Sequence, residues 1–149
     1  MKTYSYKTIS DWFLSKQSMT PKKLQKLTYY TEAWANALYN QSIIDDTHFE
    51  AWVHGPASYD LYKDYKEYGW QLIDKKESNN NLFDEEALDL LESVWITYGD
   101  KSANELEALT HSERPWIEAR MGCSETENSH QIISAEAMKE YYKGIYIGD

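Results

Sequence analysis

The chain of 149 residues carries 15 Lys and Arg against 25 Asp and Glu, a formal net charge of -10, and its Leu, Ile, Val and Phe together number only 27, or 18%. That balance borders on the composition of disordered chains, but 13 Tyr, 6 Trp and 3 Phe, each able to bury about 150–250 Å², supply ring surface for a core. A chain of this length needs neither disulfides nor metals to fold and is expected to form one domain over residues 1–149. No apolar run approaches the roughly 18 residues of a membrane span, and the opening MKTYSYKTIS lacks the apolar core of a signal peptide, so a soluble cytoplasmic protein is expected. The single Cys123 excludes an internal disulfide and a Cys-rich zinc site.

Scarce Val, Gly and Pro favour helices over sheet. Ile9, Trp12, Phe13 and Lys16 fall at helical spacing and predict a short helix over 8–16. Thr20-Pro21 then supplies an N-cap with Pro at the first helical position, opening a helix whose Leu24, Leu27, Thr31, Trp34 and Leu38 share one face, widened by Tyr30, Ala33 and Ala37. Between Gln41 and Val53 the period changes. Ile43-Ile44, a polar turn at Asp45-Asp46-Thr47 and the alternation of Phe49, Ala51 and Val53 predict a short β-hairpin near residues 43–53. Gly55-Pro56 is read as the break after it and as the opening of a helix with Leu61, Tyr62, Tyr65 and Tyr68 on one side, stopped at Gly69. Asp84 caps the next helix, with Leu88, Leu91, Val94, Trp95 and Tyr98 as buried candidates. Ser102 and Glu105 have capping-box spacing. A turn at 110–115 leads to a short helix at 116–120, a loop follows over 121–131, and Ser134 begins a last helix with Met138, Tyr141 and Tyr142. The fold class expected is mainly α, a compact single-domain arrangement of about six helices.

Charge is unevenly placed: residues 1–40 sum to +4 and residues 41–149 to -14. An acidic surface repels phosphate backbones and favours basic partners at encounter, with Lys16, Lys22, Lys23 and Lys26 as the positive exception. Asp84, Glu85, Glu86, Asp89 and Glu92 gather at a helix start, where the macrodipole favours them. The four histidines lack the i, i+4 pairing of a helical zinc site. Gly55, Gly69 and Gly99 are isolated, so no phosphate-cradling loop is present. No catalytic residue, metal or cofactor is expected. Trp52, Tyr59, Tyr62, Tyr65, Tyr68 and Trp70 lie within 19 residues, more rings than one helix face buries against a single neighbour, and rings left at a groove suit a protein-binding surface.

In order along the chain stand Lys23-Leu-Gln-Lys-Leu-Thr-Tyr-Tyr-Thr-Glu-Ala-Trp34, Phe49-Glu-Ala-Trp-Val-His-Gly-Pro56, Tyr98-Gly99, Ser102-Ala103, Leu109-Thr-His-Ser-Glu-Arg-Pro-Trp116 and Ala119-Arg120. The series resembles the Panacea domain, also called the SocA-like antitoxin or phage-associated genetic-element protein family, from about Ile9 to Tyr142. The family often has a second Pro three residues after the Gly-Pro, where this chain has Tyr59.

That resemblance implies a helical, non-enzymatic protein that binds a cognate protein toxin, encoded by an adjacent gene, or delivers it to a cytosolic protease as an adaptor. The alternative reading is a phage or mobile-element anti-defence protein that blocks the nucleic-acid surface of a host nuclease, suggested by the acidity of 41–149. No membrane partner is expected, and nucleic acid only as weak autoregulatory DNA binding at Lys22, Lys23 and Lys26. Trp34 and Trp116 are assigned to the core, and His111 and Glu113 to holding the turn before Pro115. Trp52, His54, Tyr59 and Tyr62 are the predicted partner-binding residues, because they flank the turn that interrupts the helical pattern.

Overall fold

A computed structural model describes residues 1–147. Its elements in chain order are α1 (Tyr6–Lys16), α2 (Pro21–Tyr39), β1 (Glu50–Trp52), β2 (Gly55–Ala57), α3 (Tyr59–Tyr65), α4 (Glu85–Tyr98), α5 (Ala103–His111), α6 (Arg114–Ala119) and α7 (Ala135–Tyr146), with 3-10 turns at Lys66–Tyr68 and Asn80–Leu82. The mainly helical class and the short hairpin are as the sequence predicts, with seven α-helices among the described residues instead of about six. Among the described residues no helix is long and apolar enough to cross a membrane.

Local chemistry sets most helix starts. The side chains of Ser5, Thr20, Ser58, Asp84, Ser102 and Ser134 each accept a backbone N–H of the first turn, satisfying donors that the helix itself leaves unpaired. At Ser102 the return bond from Glu105 completes the capping box. Asn40, at φ +54, ends α2 in the left-handed conformation, which Asn tolerates better than most residues.

Helix α2 is the axis of the molecule. It packs against α1, α3, α4, α5, α7 and β2, and residues 24–33 are buried without interruption. The predicted one-sided stripe is therefore too narrow: Gln25, Lys26, Thr28, Glu32 and Asn36 are buried with Leu24, Leu27, Tyr30 and Thr31. Burial obliges these polar groups to find partners. Thr28 and Thr31 donate to carbonyls four residues back, and the Glu32 carboxylate accepts Ile43 N and Ile44 N at 3.0 and 3.1 Å. Burial pushes the Glu32 carboxyl up, opposed by these bonds.

The core runs from Tyr4 to Tyr142 and includes Trp12, Phe13, Phe49, Leu91 and Leu106; a fully buried apolar side chain of this size contributes about 1.5–3 kcal/mol. Trp116 belongs to it as predicted, whereas Trp34 is only half-buried, with Nε1 donating to the Tyr98 hydroxyl at 2.9 Å, and Leu38 is exposed.

The hairpin differs from its predicted span. Ile44 instead bridges to Tyr4 near the start of the chain, and the antiparallel pair is Glu50↔Ala57, Ala51↔Pro56 and Trp52↔Gly55, joined by Val53 and His54. Gly55-Pro56 forms the second strand instead of breaking the first. The following helix begins only at Tyr59, after the Ser58 cap, and buries Leu61 alone. Tyr62, Tyr65 and Tyr68, predicted to share one side of it with Leu61, are exposed or half-buried.

Candidate partner-binding site

Four side chains from distant helices hold the hairpin from behind. The Gln25 amide closes a reciprocal pair with Ser58, Nε2 donating to its carbonyl and Oε1 accepting its N–H, both at 2.8 Å. Lys26 Nζ donates to Pro56 O at 3.1 Å. On the other strand, Trp116 Nε1 donates to Trp52 O and Arg120 Nη1 to Ala51 O, each at 2.8 Å. The Arg120 guanidinium also donates to the carbonyls of Ser124 and Glu127, which draws the 121–131 loop in beside the hairpin. The His111 ring stacks on Trp116 with centroids 3.9 Å apart and planes 11° apart. Burial holds the His111 imidazole below its ordinary value, opposed by Glu107.

Gly55 makes this packing possible. Its φ is +107°, and a Cβ there would lie 2.7 Å from Lys26 Cε and 2.9 Å from Thr110 Oγ1, so only glycine meets both the backbone and the space requirement.

In front of this support stand the rings. Trp52 meets Tyr62 edge to face at 5.3 Å, and Tyr62 stacks on Tyr59 at 6.3 Å. Tyr59 is 51% exposed, Tyr62 43% and Trp70 75%. Beside Tyr62 a cavity of about 230 Å³ opens, walled chiefly by Trp52, Val53, Leu61, Tyr62, Tyr65 and Trp70, with Lys22, Lys26 and His54 also in its lining. Trp52 Nε1 donates to Glu50 Oε1 at 2.8 Å, and His130 and His48 approach the same carboxylate at 3.0 and 3.3 Å. Burial works against ionisation of Glu50, but these hydrogen bonds carry its carboxyl below the usual range.

The structure thus brings the four predicted residues onto one face: Trp52, His54 and Tyr62 line the cavity, and Tyr59 stands against Tyr62 outside it. It adds Trp70, which follows Gly69 and lies beneath Lys22 Nζ at 5.5 Å from the ring centroid. In sequence Trp70 stands among the rings of this region but outside the predicted partner-binding set; its place just past a helix-stopping glycine is a signal that could have marked it. Gln25, Lys26 and Arg120 were missed as supports, although each lies inside the motif series.

Two expectations are corrected here. Lys22, Lys23 and Lys26 do not form a free basic surface. Lys26 is buried, Lys22 is ion-paired with Glu107 and bonded to Asn104 Oδ1, and Lys23 donates to Gly99 O at 2.7 Å. Glu113 does not hold its own turn with its side chain. Its Oε1 accepts the hydroxyls of Tyr30 and Tyr142, both at 2.8 Å, tying α2 to α7. Burial raises the Glu113 carboxyl to about 7, with the two tyrosine bonds opposing.

Among the described residues no group of three or more His, Cys, Asp or Glu is arranged to hold a metal ion. Residues 24–117 match the family model described as antitoxin SocA-like, Panacea domain. Comparison with curated proteins and with solved structures gave no match.

Proposed function

The chain belongs to the SocA-like antitoxin family defined by the Panacea domain, and from this premise we propose that it is a non-enzymatic cytoplasmic antitoxin, one domain over 1–149, that neutralises a cognate protein toxin by direct binding. The observation that carries this reading is the ring cluster of half-buried Trp52 with exposed Tyr59, Tyr62 and Trp70, beside a hairpin that Gln25, Lys26, Trp116 and Arg120 hold from behind. Large aromatic side chains give contact area at low entropic cost, and a fixed base limits the ordering penalty on binding.

The experiment is co-expression with the product of the adjacent gene, comparing the wild type with Trp52→Ala and Trp70→Ala. Protection by the wild type and its loss in both variants, at unchanged circular dichroism, is the expected result. A neighbour that is harmless alone, or equally toxic with this protein present, overturns the reading for that pair. Shortening of the toxin's half-life would assign the adaptor mechanism instead of occlusion.

A second reading rests on the -14 carried by residues 41–149: an anti-defence protein that competes with a phosphate backbone for the Lys and Arg of a host nuclease. Target cleavage unaffected by an excess of the protein would remove it.

A further inference from the structure

The lining of the aromatic cavity includes the amines of Lys22 and Lys26 and no carboxylate, although the chain as a whole is acidic. Lys22, Lys26 and His54 contribute to the lining, and one carboxylate, Glu107, serves them: it pairs with Lys22 and lies 3.3 Å from His54 Nδ1. Burial works against ionisation of Glu107, but the Lys22 bond and the charges of Lys22, His54 and His111 carry its carboxyl below the usual range, so it is ionised and paired with Lys22.

Lys26 is left short of acceptors. An ammonium has three N–H donors, its side chain is 2% exposed, and the bond to Pro56 O at 3.1 Å is the one it makes among the described residues. Burial accordingly pushes its amine down to about 7. A polar donor held beneath apolar rings with unused bonding capacity is stabilised by any acceptor that enters with an apolar group. The remaining carboxylate beside the rings, Glu50, is engaged by Trp52, His130 and His48.

We propose that this cavity is the anchor site for a segment of the protein partner in which a large apolar side chain is followed by Asp or Glu, the side chain filling the space between Trp52, Tyr62 and Trp70 and the carboxylate meeting the Lys22–Lys26 side. The inference rests on the binding role proposed above and specifies its chemistry. Charge complementarity selects this occupant: a Lys or Arg anchor would gain from the rings but meets the Lys22 and Lys26 amines with no carboxylate in the cavity lining to receive it. The long-range acidity governs encounter with a partner of any overall charge, while the cavity discriminates among short segments at contact.

The test is a ¹⁵N NMR titration of the full chain with three blocked peptides, acetyl-Gly-Trp-Asp-Gly-amide and its Asn and Lys counterparts, and with phenylacetate as a free aromatic acid. The expected result is that the Asp peptide binds about five-fold more tightly than the Asn peptide, the Lys peptide binds most weakly, and the Trp52 and Trp70 indole signals shift. Lys26→Met and Lys22→Gln should each bring the Asp peptide down to the affinity of the Asn peptide and leave the latter unchanged; Lys22, at the rim, keeps the test valid if Lys26→Met does not fold. Equal affinity for Asp and Asn peptides, survival of the preference in both folded variants, or shifts that avoid the two indoles would overturn the proposal. So would binding of phenylacetate without the peptides, which would mark a small-molecule site. Toxin protection that still depends on Trp52 and Trp70 while the peptides show no acid preference would defeat this inference alone; protection independent of both rings would defeat the underlying reading.

Discussion

Glu113 and Gly55 lie at the centres of two aromatic clusters built from the same residue types, and the two clusters meet solvent in opposite ways. Around Glu113, Tyr30 stacks on Tyr98 at 3.9 Å with planes 8° apart, Tyr29 and Tyr142 join hydroxyls at 3.1 Å, and the carboxyl receives two of the phenols. Around Gly55 the polar bonds run behind the strands, to backbone carbonyls, and the rings of Tyr59, Tyr62 and Trp70 remain outside. Ring content alone therefore does not decide burial. A phenol goes inside where its hydroxyl has a partner, and the inner cluster has an acceptor at its centre while the outer one has spent its polar groups on fixing the main chain.

The contrast is open to direct attack, beginning with the strongest perturbation. Gly55→Val places a branched side chain at φ +107°, against Lys26 Cε and Thr110 Oγ1. Strain and overpacking together should cost about 3 kcal/mol or more, measured as a lowered urea midpoint. If stability is unchanged, the hairpin is not pinned to α2 as described.

Next in size is the pH response of the inner cluster. The folded-state pKa of Glu113 lies near 7, above its value in the unfolded chain, so its contribution is fully present below about pH 4.5 and is lost as pH rises through 7. The change is on the order of 3 kcal/mol. Glu113→Gln, which keeps an acceptor for Tyr30 and Tyr142, should flatten that part of the stability profile relative to wild type. Lys26 has the opposite sign in a different window. Its pKa is depressed to about 7, so its contribution is present above about pH 10.5 and lost as pH falls toward 7, and Lys26→Met should abolish that slope.

Tyr142→Phe removes the bond to Glu113 and the one to Tyr29 without emptying the ring site, and should cost about 1–2 kcal/mol in thermal denaturation. Trp70→Ala, at the outer cluster, should change stability by no more than about 0.5 kcal/mol while weakening toxin binding by about 30-fold in calorimetry. Equal losses of stability at Tyr142 and Trp70 would erase the distinction between the clusters.

Features fixed within a few residues were legible in the sequence. Thr20-Pro21, Asp84, and Ser102 with Glu105 start helices where the capping pattern says they should. The hairpin was misplaced because its loop, Val53-His54, contains none of the residues that usually mark a two-residue turn. Pro56 was read as a breaker although a strand tolerates Pro where its missing N–H is not needed. Lys26 and Gln25 looked like the exposed side of an amphipathic helix, and only the neighbours of α2, which cover it nearly all round, make them interior. The role of Glu113 depends on Tyr30, 83 residues earlier, and Tyr142, 29 later, a relation that local spacing does not encode. For the site, the sequence places Trp52, His54, Tyr59 and Tyr62 around one turn and the structure sets them on one face, whereas the cavity between them and Trp70 exists only once α3 docks by Leu61 and leaves its tyrosines outside.

The main-chain bonding of the hairpin has a consequence for how specificity can change. On its β1 side, Ala51 N donates to Gln131 O and Phe49 O accepts Ile133 N. On its β2 side, Pro56 has no N–H, and its carbonyl together with both backbone groups of Ser58 is taken by Lys26 and Gln25. These occupied groups offer no free ladder for an incoming strand. The recognition proposed for this face therefore falls to side chains alone, and exchanging one ring for another would leave the ladder undisturbed.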